Sequence, residues 1–268
     1  MTGHIPFANG MTRIVAMPLP DADGIALAAA CLSPAERTLM EKYRHPRRRA
    51  EFVAGRLSAK RALLEPQANS LRICADGLRR NPVSPQTAQR IDILPDQAGR
   101  PCIEFGSDFG SDGKRTSISI SHAAGWVAAA CSDRPIGLDI VDGEAATGWS
   151  DRHGWLADCP PQWRMRLSAL SWGFHECLLK AGALPASAGT LWELANPELA
   201  PLLPLRSAAA LIADWPAACR LASLEIAVGA RVFAGAFMPL DATAMLVMVL
   251  LPMQEMQTEY AIEENLSI

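Results

Sequence analysis

Residues 116–141 read TSISISHAAGWVAAACSDRPIGLDIV. Ile118 and Ile120 alternate with small polar residues, the period of a strand with one buried face, and residues 126–131 and 136–141 are short apolar runs. Turn-forming residues at 123–125 and 132–135 separate them, so the stretch is predicted as three consecutive strands. One carboxylate, Asp139, interrupts the third run. An ionised carboxylate in an apolar strand is costly unless it is paired or bound to a hard cation, although an Asp hydrogen-bonded at a strand end is the plainer alternative. His122 closes the alternating run before a small-residue turn, where its imidazole reaches the rim of a cleft or fills a satisfied structural position.

Upstream, Ser33 and Pro34 mark a helix start, because proline in the first turn loses no hydrogen bond. The helix breaks at Pro46. Beyond it Phe52, Val53, Leu57, Ala59, Leu63 and Leu64 recur at helical spacing, with Arg48, Arg49, Arg56, Lys60 and Arg61 over much of the remaining surface. This predicts a basic amphipathic helix, and a solvated face is the plain reading for Arg47, Arg48, Arg49, Lys60 and Arg61. Short strands are predicted at 71–74 and 91–94, with another at 102–105 inside a loop over 95–114. Downstream, Leu167, Leu170, Phe174, Cys177, Leu178 and Ala181 form the stripe of a half-buried helix ended by Pro185. Strands at 221–227, 231–237 and 244–250 follow. The order implies an α+β protein of two pseudo-symmetric halves, 1–135 and 136–253, with an acidic tail over 254–268.

The chain has 268 residues, 50% hydrophobic and 20% charged, the balance of a soluble globular protein. A net charge of -3 argues against a surface built for nucleic acid or anionic lipid, and the scarce aromatics (6%) offer few stacking platforms to an arginine-rich helix. The first residues lack the features of a signal peptide, and the most apolar late stretch, 242–251, is about ten residues where a spanning helix needs ~20. Seven cysteines are scattered without a CxxC pair, which suits buried, reduced thiols in a cytoplasmic protein rather than a disulfide framework or zinc site.

Four separated stretches bear on function: GRP at 99–101, ISISH at 118–122, GLDI at 137–140 and WGFHECLLKA at 172–181. In order and spacing they resemble the 4'-phosphopantetheinyl transferases of the Sfp and EntD type, and RRRAEFVAGRLSAKRAL upstream is similar to the first helix of EntD-like members. The resemblance covers about residues 33–182. It implies transfer of the phosphopantetheine arm of coenzyme A to a serine of an acyl or peptidyl carrier protein, with release of 3',5'-ADP. Such chemistry needs a divalent cation on the diphosphate, carboxylates to hold it, a base for the serine proton and basic groups for the other phosphates.

Trp172, Glu176 and Lys180 are spaced by four and share one helix face. Without the resemblance, Glu176 and Lys180 read as an exposed ion pair worth a few tenths of a kcal/mol. With it, Glu176 is a magnesium ligand and the general base, Asp139 the second magnesium ligand, and Lys180 a catalytic contact to the phosphate that gains charge. Arg49, Arg56, Arg100, Ser121 and His122 are assigned to coenzyme A, in a cleft between the halves. Two positions depart from the pattern: His175 replaces a lysine, and Val141 replaces a glutamate two residues after the motif Asp. They leave room for another class of function, a degenerate relative that binds coenzyme A or a carrier protein as a scaffold or regulator. The chain is further expected to act as a monomeric cytoplasmic enzyme with no nucleic-acid or membrane partner.

Overall fold

The computed structural model describes residues 2–4, 11–65, 70–74, 83–105, 116–143, 161–184, 222–228, 231–241 and 243–251. In chain order the elements are β1 (Thr2–His4), β2 (Thr12–Pro18), α1 (Ala22–Ala29), α2 (Pro34–Glu41), α3 (Pro46–Leu64), β3 (Ser70–Ile73), α4 (Pro85–Ala88), β4 (Ile91–Pro95), β5 (Pro101–Phe105), β6 (Ser117–Ala123), β7 (Trp126–Ser132), β8 (Ile136–Asp142), α5 (Pro161–Lys180), β9 (Ala222–Val228), β10 (Arg231–Pro239) and β11 (Ala244–Leu250). The class is α+β, as the sequence implies. The expected acidic tail lies outside the described residues.

β1-β3-β2-β7-β6 form one sheet and β8-β11-β10-β9 a second, while β4 and β5 pair as a separate hairpin. The sheets share an apolar core. Ile14, Ala16, Ala128 and Ala130 of the first meet Ile136, Leu138, Ile140, Leu246 and Met248 of the second. On the outer face of the first sheet, Val15, Ala129 and Cys131 pack under Ala59 and Ala62 of α3. On the outer face of the second, Val141, Met245 and Val247 pack under Leu170, Phe174 and Cys177 of α5. β2 is therefore buried on both faces and carries no alternation to read, which is why sequence periodicity does not mark it.

Local chemistry sets the boundaries. Ser33 caps α2 in a capping box with Glu36, Pro34 following in the first turn. The β6–β7 hairpin turns on Ala124 and Gly125, both at positive φ (48° and 76°), as the twist of a tight two-residue turn requires. α5 stops at Gly182, φ 77°, where the Ala183 N–H donates to Leu178 O at 2.9 Å and the Gly182 N–H to Leu179 O at 3.1 Å. Pro185, expected to end this helix, lies outside the described residues.

The solvated-face reading fails for Lys60 and Arg61, which are 0% and 4% exposed. α3 is enclosed on more than one side, and Lys60 finds an acid there: its Nζ lies 2.5 Å from Glu36 Oε2 and donates to Cys31 O at 2.9 Å. Glu36 also accepts the N–H groups of Ser33 and Ile93, so one buried ion pair ties α2, α3 and the β4–β5 hairpin together.

Two further contacts fix where α5 and β8 stand. Ser117, Ser119 and Ser121 of β6 each accept a backbone N–H from β8, those of Ile136, Leu138 and Ile140, at 3.2, 3.0 and 3.1 Å. β6 and β8 are edge strands of different sheets, so these hydroxyls replace the missing backbone ladder along the seam. Gly137 then lets α5 lie directly on β8, since a methyl group there would sit 1.8 Å from the Cys177 carbonyl oxygen. Gly137→Ala must push the helix away, and we expect a loss of about 3 kcal/mol in chemical denaturation, at the upper end for overpacking; unchanged stability would show that the approach is not close.

Candidate active site at the junction of the two sheets

Alternation along β8 sends Leu138 and Ile140 into the shared core and Gly137, Asp139 and Val141 toward α5. Asp139 is 7% exposed and does not stand alone. Lys180, the last residue of α5, places Nζ 2.6 Å from Asp139 Oδ1, 3.1 Å from Leu138 O and 3.3 Å from Ser121 Oγ. Ser121 Oγ in turn donates to Asp139 Oδ1 at 2.7 Å. The ammonium of Lys180 is thus engaged with Asp139 across the junction, not with Glu176 along its own helix face.

Glu176 lies one turn earlier on α5. Burial raises its carboxyl pKa above the ordinary value of 4.5, the negative charge of Asp139 raises it further, and Lys180 partly opposes both. Among the described residues no three His, Cys, Asp or Glu side chains gather as a metal site. Two carboxylates that feel each other's charge are nonetheless an oxygen donor pair suited to a hard cation, and magnesium commonly takes one or two carboxylates with water and phosphate completing its shell.

Across the seam, His122 follows Ser121 on β6. Its Nδ1 is 3.5 Å from Glu51 Oε2, and the same carboxylate receives Arg47 Nε at 3.0 Å and Arg48 Nη1 at 3.2 Å. Burial lowers the His122 pKa below 6.5; Glu51 opposes this, while Arg48 and Lys180 reinforce it. Glu51 was not singled out in the sequence, although its place three and four residues after two arginines is the spacing of a helix ion pair. Arg56 stacks its guanidinium carbon 4.5 Å over the Phe52 ring, and its Nε is buried with no partner among the described residues. Burial lowers its pKa, with Glu36 and then Tyr43 opposing. Arg49 is exposed and donates from Nε to Tyr43 O at 2.6 Å. Arg100, at the β4–β5 turn, pairs with Asp96 at 3.1 Å, and its Nη1 lies 3.9 Å from where a side chain on Gly182 would begin, beside the end of α5.

Of the residues expected at the site, Ser121, Asp139 and Lys180 therefore form one bonded cluster, with Glu176 and His122 in its field and Arg100 beside the end of the same helix. The two departures have structural homes. Val141 is 3% exposed, and a methyl group on Gly173 of α5 would lie 2.8 Å from its Cγ2. His175 is buried with its ring 6.0 Å from that of Trp172. Cys31, Cys131 and Cys177 are buried, as expected of inert thiols, whereas Cys102 is exposed and Cys74 half-buried; Cys159 and Cys219 lie outside the described residues.

No family model matches the chain, and no curated protein matches it. Among solved structures, the holo-acyl-carrier-protein synthase of Helicobacter pylori, described in complex with coenzyme A, is 21% identical with a TM-score of 0.31, over 45% of this chain and 97% of its own. The enzyme of Neisseria meningitidis is 20% identical with a TM-score of 0.33, over 46% of this chain and 95% of its own. The acyl carrier protein synthase of Mycobacterium tuberculosis is 21% identical with a TM-score of 0.30, over 46% and 94%.

Two substitutions test the electrostatics and packing of this site. Because the folded-state pKa of Glu176 is raised, its ionisation opposes folding: the penalty is absent below the unfolded value near 4.5 and grows as pH rises through the folded value. Glu176→Gln is therefore expected to raise Tm at pH 7 to 8, with the gain vanishing near pH 4; a lower Tm at neutral pH would mean that the carboxylate is net stabilising. Val141→Glu places a carboxylate beneath α5 and is expected to cost about 3 kcal/mol or more in urea denaturation. Retained stability would show that this position can turn toward the site.

Proposed function

We propose that the chain is a 4'-phosphopantetheinyl transferase of the Sfp and EntD type: it moves the phosphopantetheine arm of coenzyme A to a serine of an acyl or peptidyl carrier protein. The observation that carries this reading is the buried Asp139 bonded to Lys180 and Ser121, with the raised carboxyl of Glu176 one helical turn away. These are two carboxylates, one of which also serves as the base, and an ammonium, the groups needed for attack by a hydroxyl on a diphosphate.

In the proposed reaction the carrier serine oxygen forms a bond to the phosphorus next to the pantetheine arm. The bond from that phosphorus to the bridging oxygen breaks, and 3',5'-ADP leaves with the electron pair. Glu176 would take the serine proton, its raised pKa making it a stronger base than an ordinary carboxylate. Lys180, whose three protons meet Asp139, Leu138 O and Ser121 in the resting site, would turn one of them to the phosphate that gains charge once coenzyme A is bound. Arg100 and His122 would meet the other phosphates, and the buried Nε of Arg56, without a partner among the described residues, would be a third donor for an anion, with Arg49 on the exposed side of the same helix. Asp139 and Glu176 would hold magnesium, which neutralises the diphosphate when bound. Scattered cysteines without a CxxC pair support a cytoplasmic setting for the proposed enzyme.

Incubating the chain with coenzyme A, magnesium and a panel of apo carrier proteins, followed by intact mass, tests the reading. A carrier should gain one phosphopantetheine, Glu176→Gln and Asp139→Asn should slow transfer by at least ~100-fold, and the acid limb of kcat/KM should lie above 4.5. Coenzyme A binding without transfer to any carrier would favour the scaffold reading. Absence of binding would overturn both.

A further inference from the structure

We propose that Ser121 is a positioning residue: its hydroxyl bridges the seam and locks Asp139 and Lys180 against each other before substrate arrives. The kinetic part of this proposal rests on the transferase reading above; the structural part does not. A serine hydroxyl has one proton and two lone pairs. At Ser121 the proton goes to Asp139 Oδ1 at 2.7 Å, and the oxygen accepts the Ile140 N–H at 3.1 Å and Lys180 Nζ at 3.3 Å. All of its capacity is engaged within the protein, so this hydroxyl has no proton left for a phosphate of coenzyme A.

The neighbouring rung supplies the comparison. Ser119 sits two residues earlier on the same face of β6, accepts the Leu138 N–H at 3.0 Å and donates back to Leu138 O at 3.4 Å. It is equally a seam contact and touches no charged group among the described residues. Removing either hydroxyl orphans one buried backbone N–H of β8, whereas only removal at Ser121 also strips a donor from Asp139 and an acceptor from Lys180. Lys180 Nζ has three protons and, in the intact site, three acceptors: Asp139 Oδ1, Leu138 O and Ser121 Oγ. Without Ser121 the ammonium keeps two acceptors and gains freedom to swing toward solvent.

The experiment compares Ser121→Ala with Ser119→Ala. Both should lower Tm, Ser121→Ala by the larger amount because it also removes contacts to two charged groups. Ser121→Ala should reduce kcat by about ten-fold or more, as for loss of a group that orients a ligating carboxylate, with KM for coenzyme A nearly unchanged; Ser119→Ala should leave kcat as in the wild type. Independently of turnover, limited acetylation read by peptide mass should modify Lys180 several-fold faster in Ser121→Ala than in the wild type, and no faster in Ser119→Ala. Ser121→Cys, which fills the space with a weak donor, takes the same comparison if the alanine variant does not fold. A rise in KM at unchanged kcat would make Ser121 a substrate contact, and equal behaviour of the two rungs in both assays would make it a structural seam residue; either overturns the proposal. If the wild type transfers nothing, the transferase reading fails while the acetylation comparison still decides the positioning role.

Discussion

The backbone N–H groups of Ile136, Leu138 and Ile140 lie on the edge of the second sheet, in the interior of the protein, and their acceptors are three serine hydroxyls from the edge of the first. Buried N–H groups without acceptors are expensive, so this pairing sets how far β6 and β8 are displaced along each other. The displacement matters because β8 has a period of two. With Ile136, Leu138 and Ile140 directed into the shared core, Gly137, Asp139 and Val141 must face α5. Gly137 then admits the helix, Val141 packs beneath Gly173, and Asp139 between them is left as the one charged group on that face of β8, within reach of Lys180.

The same seam organises the charges. On the α5 side stand two carboxylates and one ammonium: Lys180 bonds to Asp139, while burial and then the charge of Asp139 make Glu176 hold its proton more tightly. On the α3 side the balance is reversed, with the single buried carboxylate of Glu51 receiving Arg47, Arg48 and the imidazole of His122. Further away, the buried Glu36–Lys60 pair fixes the β4–β5 hairpin through the Ile93 N–H and so holds the turn that carries Arg100 near the end of α5. Acidic and basic groups therefore meet at the junction from opposite sides.

Much of this was legible in the sequence because it is local. Alternation at Ile118 and Ile120, the apolar run of β8 with one carboxylate in it, and the spacing of Glu176 and Lys180 each fall within a few residues. What was not legible depends on partners far along the chain. Lys60 reads as a solvated helix residue until Glu36, on a different helix, is brought against it. β2 carries no alternation because layers pack on both of its faces. The polar half of SISIS reads as a solvent-facing row, yet Ser119 and Ser121 are buried because a strand from the other sheet supplies the N–H groups they accept. Val141 reads as a lost ligand in sequence; in the structure it is a core residue whose neighbour is a glycine.

In the proposed function, Asp139, Glu176 and Lys180 would receive the diphosphate of coenzyme A at this junction. Crystals grown with coenzyme A and manganese, a hard cation that accepts the same oxygen ligands as magnesium, test it most directly through anomalous scattering. The expected result is one manganese bound by Asp139 and Glu176, with diphosphate oxygens and water completing its shell and Lys180 at the phosphate. Manganese or coenzyme A bound elsewhere, with the Asp139–Lys180 pair untouched, would contradict the account.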